Sequence, residues 1–275
     1  MSMKRTLAVL FVLLPLSCQT PPTPPGLEIG DIFDGRVGRW IDLTYSFSTE
    51  TIYWPTGKPF ELEEVFYGQS ENGYFYSSYN YGGSEHGGTH FDAPVHFAEG
   101  AKTTEQVDLE RLIGPAVVVD VTDRVTPDYQ IQVADLESWE SAHGQIPAGA
   151  IVLFRTGWGS RWPDRMSYLG TEKTGAEAVA ELHFPGISPE AAQWILDKRD
   201  IDAVGIDTPS IDYGQSKMFE THQILYPAQM PGFENIANLE ELPEAGSYVI
   251  GLPMKIAGGS GAPLRIIAFI PEGVE

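Results

Sequence analysis

Short apolar runs rich in β-branched residues alternate with turn-forming segments along most of the chain. Five of these runs have the length and composition of buried strands, and they span residues 116–121, 150–156, 203–207, 247–252 and 264–270. Because β-branched side chains pack well on a pleated surface, the runs favour strand over helix. The pattern therefore predicts a sheet as the main element of the fold.

Two segments have helical signals instead. Ser188 is a good N-cap residue, Pro189 suits the first helical position, and the apolar residues of "PEAAQWILDKRD" fall on one face. A second helix, with weaker caps, is predicted over residues 133–142. The two classes of element together predict a single α/β domain in which the sheet dominates. The pattern does not determine the order of the strands.

The first thirty residues differ in composition from the rest. "MSMKRTLAVLFVLLPLSCQT" has a basic start, an apolar run over residues 7–16 and small residues up to Cys18. This run is shorter than the about 20 residues that span a bilayer, and it is typical of an export signal. The proline-rich segment that follows predicts an extended tether. We therefore expect an export signal over residues 1–18, a tether over 19–31 and one domain over 32–275.

Cys18 is the single cysteine of the chain, so disulfides cannot hold this fold together. Its position at the end of the apolar run resembles the lipidated cysteine of a bacterial lipoprotein signal. We expect an exported protein, periplasmic or at the cell surface, that is tethered through lipid on Cys18. Simple secretion is the alternative.

The chain is strongly acidic, with 38 Asp and Glu residues against 17 Lys and Arg residues and a net charge of −21. Removal of residues 1–17, which include Lys4 and Arg5, would bring the charge to −23. Such a surface disfavours nucleic acids and anionic membranes as partners. We expect contact with a membrane only through the lipid anchor.

Candidate chemistry is concentrated in "GGSEHGGTHFDAPVHF", residues 82–97. Its glycines and Pro94 disfavour a helix, but His90 and Asp92 share a face if this piece is extended. The glycines allow a turn that brings His86 to the same point. Imidazoles and a carboxylate are ligands for Zn²⁺ or Mn²⁺, and three protein ligands leave a position for water. The segment thus predicts a catalytic metal centre rather than a group of half-buried polar histidines.

"HGGTHFDAPVHF" resembles the H-x-G-T-H-x-D-x-P-x-H-F signature of the metal-dependent cyclase family, which includes bacterial kynurenine formamidases and isatin hydrolases. "IDLTYSFSTETIYWP", "GIDTPSID" and "THQILYPAQMPGFENIANL" extend the resemblance over most of the chain. It implies a swivelling β/β/α domain that assembles as a homodimer or homotetramer.

The resemblance also implies roles for individual residues. His96 corresponds to the catalytic acid/base histidine, and Trp54 to an aromatic substrate contact, although a core tryptophan is the alternative. His86, His90 and Asp92 would bind a first ion. His222 and Glu234 would bind a second ion together with Asp92. Alternatively, one ion is bound, Glu234 pairs locally and His222 only orients Asp92. His143 and His183 are expected to be structural.

The expected reaction is hydrolysis of an amide C–N bond in a small aromatic substrate, with water activated by Zn²⁺ or Mn²⁺. N-formylkynurenine and isatin-like cyclic amides both fit the resemblance. A different class of function is an exported, metal-dependent binding lipoprotein without turnover. His96 discriminates between the two, since a binding protein needs metal ligands but no histidine for proton transfer.

Overall fold

In the computed structural model, which describes residues 29–274, the chain folds around one large sheet. The predicted export signal and all but the end of the predicted tether lie outside the described residues. The strands are β1 (Gly38–Asp42), β2 (Glu61–Gln69), β3 (Phe75–Gly82), β4 (His90–Asp92), β5 (Ile113–Asp120), β6 (Gln130–Ile131), β7 (Ile151–Arg155), β8 (Gly186–Ile187), β9 (Ala203–Ile206), β10 (Gly232–Glu234), β11 (Tyr248–Pro253) and β12 (Gly261–Pro271). The α-helices are α1 (Ile29–Phe33), α2 (Val133–His143), α3 (Arg165–Leu169), α4 (Pro189–Lys198) and α5 (Glu220–Leu225).

Seven strands of the large sheet close into a ring. Their order is β12-β11-β5-β7-β9-β10-β4, and β4 pairs again with β12, while β1 extends the sheet from β12. The neighbours from β5 to β10 are parallel, and the remaining pairs are antiparallel. The long strand β12 makes closure possible because residues 261–263 pair with β4 and residues 267–271 pair with β1. The result is a barrel-like sheet.

All five strands predicted from the apolar runs are present, as β5, β7, β9, β11 and β12. Both predicted helices are present as α2 and α4, and Ser188 Oγ accepts a hydrogen bond from Ala191 N at 3.1 Å. The expectation of a sheet-dominated α/β domain is therefore confirmed. Helix α1 spans the expected boundary at residue 32.

The core divides between the two faces of the sheet because successive strand residues point to opposite sides. Val117 and Val152 pack in the cluster that includes residues of helices α2 and α4. Val118 and Leu153, their direct neighbours, join Phe91 in a second cluster on the other face. Helices cover the outer face, so the second cluster fills the inside of the ring.

Strands β2 and β3 form a separate hairpin that pairs with no strand of the ring among the described residues. Its large apolar side chains are exposed, namely Leu62, Val65, Phe66, Tyr67, Phe75, Tyr76, Tyr79 and Tyr81. None of the helices between residues 29 and 274 has the length and apolar composition needed to cross a bilayer.

Candidate metal centre

Strand β4 carries two polar residues into the wall of the ring. It is only three residues long and fully buried, with β10 on one side and β12 on the other. His90 lies opposite Glu234, and Asp92 lies opposite Gly232 of β10 and Gly261 of β12. Because the strand is extended, His90 and Asp92 point to one side, as their spacing predicts.

A glycine turn brings His86 to the same point. Gly88 has a φ of 58°, a left-handed conformation that L-residues rarely adopt. A Cβ on Gly87 would lie 2.1 Å from the Tyr53 ring, so only glycine fits this close approach. The turn leaves His86 Nδ1 2.7 Å from Asp92 Oδ1.

His222 and Glu234 reach the cluster from another part of the chain. His222 lies on α5, and the chain then turns through Pro227 and Pro231 before Glu234 ends β10. His222 Nε2 lies 3.4 Å from Asp92 Oδ2 and 3.4 Å from Glu234 Oε1. The structure thus brings together all five residues that the resemblance implies as metal ligands.

The hydrogen bonds of His90 test whether these residues fit a cation. His90 Nδ1 donates to the carbonyl oxygen of Gly88 at 3.0 Å, which leaves a lone pair on Nε2 in the neutral ring. Asp92 Oδ1 and Glu234 Oε2 lie 3.2 and 3.3 Å from Nε2, yet neither is aligned for a hydrogen bond. Burial opposes a charge on His90, but Asp92 and Glu234 raise its pKa to about 10, so a positive charge is favoured between these three groups. The donor set therefore fits a divalent metal ion.

The charge state of the carboxylates agrees with this fit. Burial opposes their ionisation, but the neighbouring imidazoles of His86, His96 and His222 hold the pKa of Asp92 well below its ordinary value. Burial and the charge of Asp92 likewise oppose ionisation of Glu234, yet the close contacts of its oxygens with His222 and His90 lower its pKa. Both groups are ionised at neutral pH, as metal binding requires.

Several supporting residues were missed in the sequence. Asp212 Oδ2 accepts from His222 Nδ1 at 2.5 Å, which directs Nε2 of His222 toward the carboxylates. Tyr226 OH donates to Asp92 Oδ2 at 2.8 Å, and Asn235 Nδ2 donates to the carbonyl oxygen of Gly88 at 2.8 Å. For Asp212, the available signal was a polar loop directly after a buried strand, where functional residues commonly lie.

His96 lies beside the cluster on a short 3₁₀ helix, Pro94–His96. Its ring stacks on the His86 ring with centroids 3.8 Å apart, and its side chain makes no hydrogen bond to residues 29–274. Burial lowers the pKa of His96 to about 4, so the ring is neutral at pH 7. His86, Asp92 and His96 also offer ligand atoms within 4.8 Å of one another. The geometry therefore allows His96 to accept a proton or to bind a metal.

A cavity of about 340 Å³ opens above the cluster. Its apolar wall includes Ile52, Trp54, Phe97 and Phe219, and its base consists of His86, His90, His96, His222 and Glu234. Trp54 lines the cavity and also packs edge-on against Phe184, so it belongs both to the wall and to the core behind it.

The remaining two histidines lie outside the cavity. His143 Nε2 lies 2.9 Å from Glu244 Oε2, and His183 Nδ1 lies 2.8 Å from Asp128 Oδ1. Neither residue lines the cavity.

Buried carboxylates and imidazoles at the base of an aromatic-walled cavity are the arrangement of a candidate metal centre that is open to a small molecule. Comparisons with known proteins give the family. The Cyclase family model, described as "Putative cyclase", matches residues 41–213. The chain belongs to the Cyclase family, and it is a hydrolase that acts on amide C–N bonds.

Individual relatives agree with this assignment. An isatin hydrolase of Roseibium aggregatum is 34% identical over 198 residues, which cover 68% of this chain and 73% of that protein. A kynurenine formamidase of Bacillus anthracis is 25% identical over 84% of this chain and 98% of its own length. The solved structure of isatin hydrolase A from Ralstonia solanacearum has a TM-score of 0.78 and 33% identity, covering 91% of this chain and 99% of that one.

The contact between Asp212 and His222 gives a prediction. Asp212→Asn removes the charge that orients His222, so we expect the affinity for Mn²⁺ or Zn²⁺ to fall about 10–100-fold. Competition with a fluorescent chelator measures this affinity. Asp128→Asn is the matched control, since Asp128 pairs with the exposed His183 outside the cavity. An unchanged affinity in Asp212→Asn would mean that His222 does not bind the ion.

Proposed function

We propose that the protein hydrolyses the amide C–N bond of a small aromatic substrate, with isatin-like cyclic amides preferred over N-formylkynurenine. The observation that carries the proposal is the aromatic-walled cavity, which ends on the buried carboxylates and imidazoles. The preference rests on the higher identity to isatin hydrolase, 34% against 25% for kynurenine formamidase.

Different residues of the cavity would bind the substrate, hold the metal ion and transfer the proton. Trp54 and Phe219 would hold an aromatic ring of the substrate above the cluster. Bound among the carboxylates and imidazoles, a divalent ion would supply activation of water and polarisation of the substrate carbonyl. His96, neutral at pH 7, would accept a proton from water as oxygen attacks the carbonyl carbon. It would return that proton to the nitrogen as the C–N bond breaks, so the products are a carboxylic acid and an amine.

We further propose two ions per chain rather than one. The oxygens of Asp92 face different partners, since Oδ1 is near His86 and His90 whereas Oδ2 is near His222. Glu234 divides in the same way, with Oε2 toward His90 and Oε1 toward His222. Carboxylates placed in this manner can bridge ions about 3.5–4 Å apart, the usual spacing in two-metal hydrolases.

We also propose that the protein is exported and held at the periplasmic or cell surface through lipid on Cys18. The basic start and the apolar run over residues 7–16 support this localisation. The ring of strands and its helices are proposed to correspond to the swivelling β/β/α domain of the family.

A homodimer or homotetramer is proposed on the basis of the β2–β3 hairpin. An isolated two-stranded hairpin is marginally stable in water, and this one exposes aromatic residues that include Tyr67 and Phe75. A second copy of the chain is the occupant that the family resemblance favours for this surface.

The first test of the proposed function is removal of metal. Exhaustive chelation should abolish hydrolysis of isatin and N-formylkynurenine, and added Mn²⁺ or Zn²⁺ should restore it, since the ion activates the water. Absorbance of the opened and deformylated products follows both reactions. Full activity in protein shown by elemental analysis to be metal-free would refute the mechanism.

The second test separates the two possible roles of His96. If the residue transfers protons, His96→Asn should keep its bound metal and lose about 10²–10⁴-fold in kcat. His183→Asn, at an exposed histidine outside the cavity, should leave kcat unchanged. Loss of the metal from His96→Asn would instead identify His96 as a ligand.

The third test counts the ions. Elemental analysis of protein saturated with metal should give near two ions per chain, and near one in Glu234→Ala, because the first ion would keep His86, His90 and Asp92 whereas the second would keep only His222 and Asp92. Glu244→Ala is the control, since Glu244 lies outside the cavity. One ion in the wild type, unchanged by Glu234→Ala, would contradict the two-ion proposal.

The fourth test concerns assembly. Tyr67→Ser combined with Phe75→Ser removes apolar area from the hairpin, and we expect a lower mass by sedimentation velocity than for the wild type. Leu109→Ser changes an exposed apolar residue outside the hairpin and should leave the mass unaltered. An assembly that survives the hairpin substitutions would need another interface.

A further inference from the structure

The environment of His86 differs from that of the other two histidines around the carboxylates. His90 and His222 each engage Nδ1 with a protein acceptor and direct Nε2 toward Asp92 and Glu234. His86 does the reverse, with Nδ1 2.7 Å from Asp92 Oδ1 and Nε2 3.0 Å from Ser260 Oγ. The contact of Nε2 with Ser260 therefore determines which nitrogen of His86 carries the proton.

Ser260 is in turn held by Glu85. Glu85 Oε2 accepts hydrogen bonds from Ser260 N at 3.0 Å and from Ser260 Oγ at 2.7 Å. Ser260 precedes β12, and its carbonyl oxygen accepts from Ala93 N at 2.9 Å. Ser260 is thus fixed to the residue before His86 through its hydroxyl and backbone N–H, and to the residue after β4 through its carbonyl oxygen.

Counting the hydrogen-bond donors and acceptors of Glu85, Ser260 and His86 shows where each proton lies. A hydroxyl has one proton, and an ionised carboxylate only accepts, so the proton of Ser260 goes to Glu85. Ser260 Oγ must then accept from His86, which places the proton of the neutral ring on Nε2. In that tautomer Nδ1 is an acceptor 2.7 Å from Asp92 Oδ1, so the contact needs a positive charge, which either a second proton on the ring or a bound metal ion would supply.

We propose that Glu85 and Ser260 are positioning residues that hold His86 as its Nε2–H tautomer, so that Nδ1 is the atom presented to the metal ion. The half-exposed position of His86 explains the need for them. Its side chain is 22% exposed, whereas His90 and His222 are 2% and 3% exposed and are confined by packing. Close packing also keeps the ring in place on one side, because a Cβ on Gly261 would lie 2.5 Å from His86 Cε1.

A merely structural reading is that Glu85 fixes the loop before β12. Ser260→Ala distinguishes the two, because it removes the hydroxyl and leaves the backbone contact between Ser260 N and Glu85 in place. We expect Ser260→Ala to bind Mn²⁺ or Zn²⁺ about 10–100-fold more weakly than the wild type in chelator competition. Ser260→Thr retains the hydroxyl and should restore affinity to within about threefold of the wild type, well inside that loss.

Two further measurements test the tautomer and the loop. Nitrogen-15 NMR of the zinc-loaded full chain should place the proton of the His86 ring on Nε2 in the wild type and in Ser260→Thr. Glu105→Gln is the matched control, because Glu105 Oε2 accepts from Gly258 N at 3.0 Å in the same loop without contacting His86. It should bind metal as the wild type does.

The proposal fails on any of three results. These are wild-type affinity in Ser260→Ala, equal loss in Ser260→Ala and Ser260→Thr, or equal loss in Ser260→Ala and Glu105→Gln. A proton on Nδ1 of His86 in the zinc-loaded wild type would also overturn it. The inference rests on the metal centre of the proposed function, but its readouts are affinity and proton position. Failure of the proposed amide hydrolysis, with metal still bound, would leave these results interpretable.

Discussion

The pairing of β4 on both of its edges is the constraint on which the rest of the structure depends. The same three residues close the ring between β10 and β12 and carry His90 and Asp92. Every backbone group of a buried strand must be paired, so the position of β4 is fixed by hydrogen bonds on two sides. His90 and Asp92 are consequently placed by the most constrained part of the sheet rather than by a loop.

This placement has an electrostatic cost that the surroundings offset. Asp92 and Glu234 are both buried, and the negative charge of Asp92 opposes the ionisation of Glu234. His90 and His222 lie between them, and Asp212 adds a third buried carboxylate behind His222. Removal of one member leaves its partners buried and unpaired, which is why such clusters are sensitive to single substitutions.

How far the sequence predicted this arrangement depends on the range of the interactions. The apolar runs identified the ring strands β5, β7, β9, β11 and β12, because a short run of apolar, β-branched residues is a strong local signal for a strand. Strands β4 and β10 have only three residues each and no such pattern. Their existence depends on pairing with distant residues, so the closed ring could not be predicted from local composition.

The same division applies to the site. His86, His90 and Asp92 lie close in sequence, and their spacing in a glycine-rich segment sufficed to predict that they meet. His222 and Glu234 required the family resemblance, since 130 residues separate His222 from Asp92. Asp212, Ser260 and Glu85 act through other side chains, and only the three-dimensional contacts identify them.

The orientation of the three histidines depends on burial to different degrees. His90 and His222 are buried, whereas His86 is partly exposed to the cavity. His90 in the wall of the ring and His222 on α5 are both buried, so packing confines the two rings in addition to their hydrogen bonds. His86 is more exposed than these two rings, with His96 stacked on it and the cavity beside it. A ring held by hydrogen bonds on both nitrogens can be oriented without full burial, so His86 can face the cavity while Nδ1 stays directed at Asp92. The hydrogen bonds of His86 thus fix the orientation of its ring, as packing helps to do for the buried rings of His90 and His222.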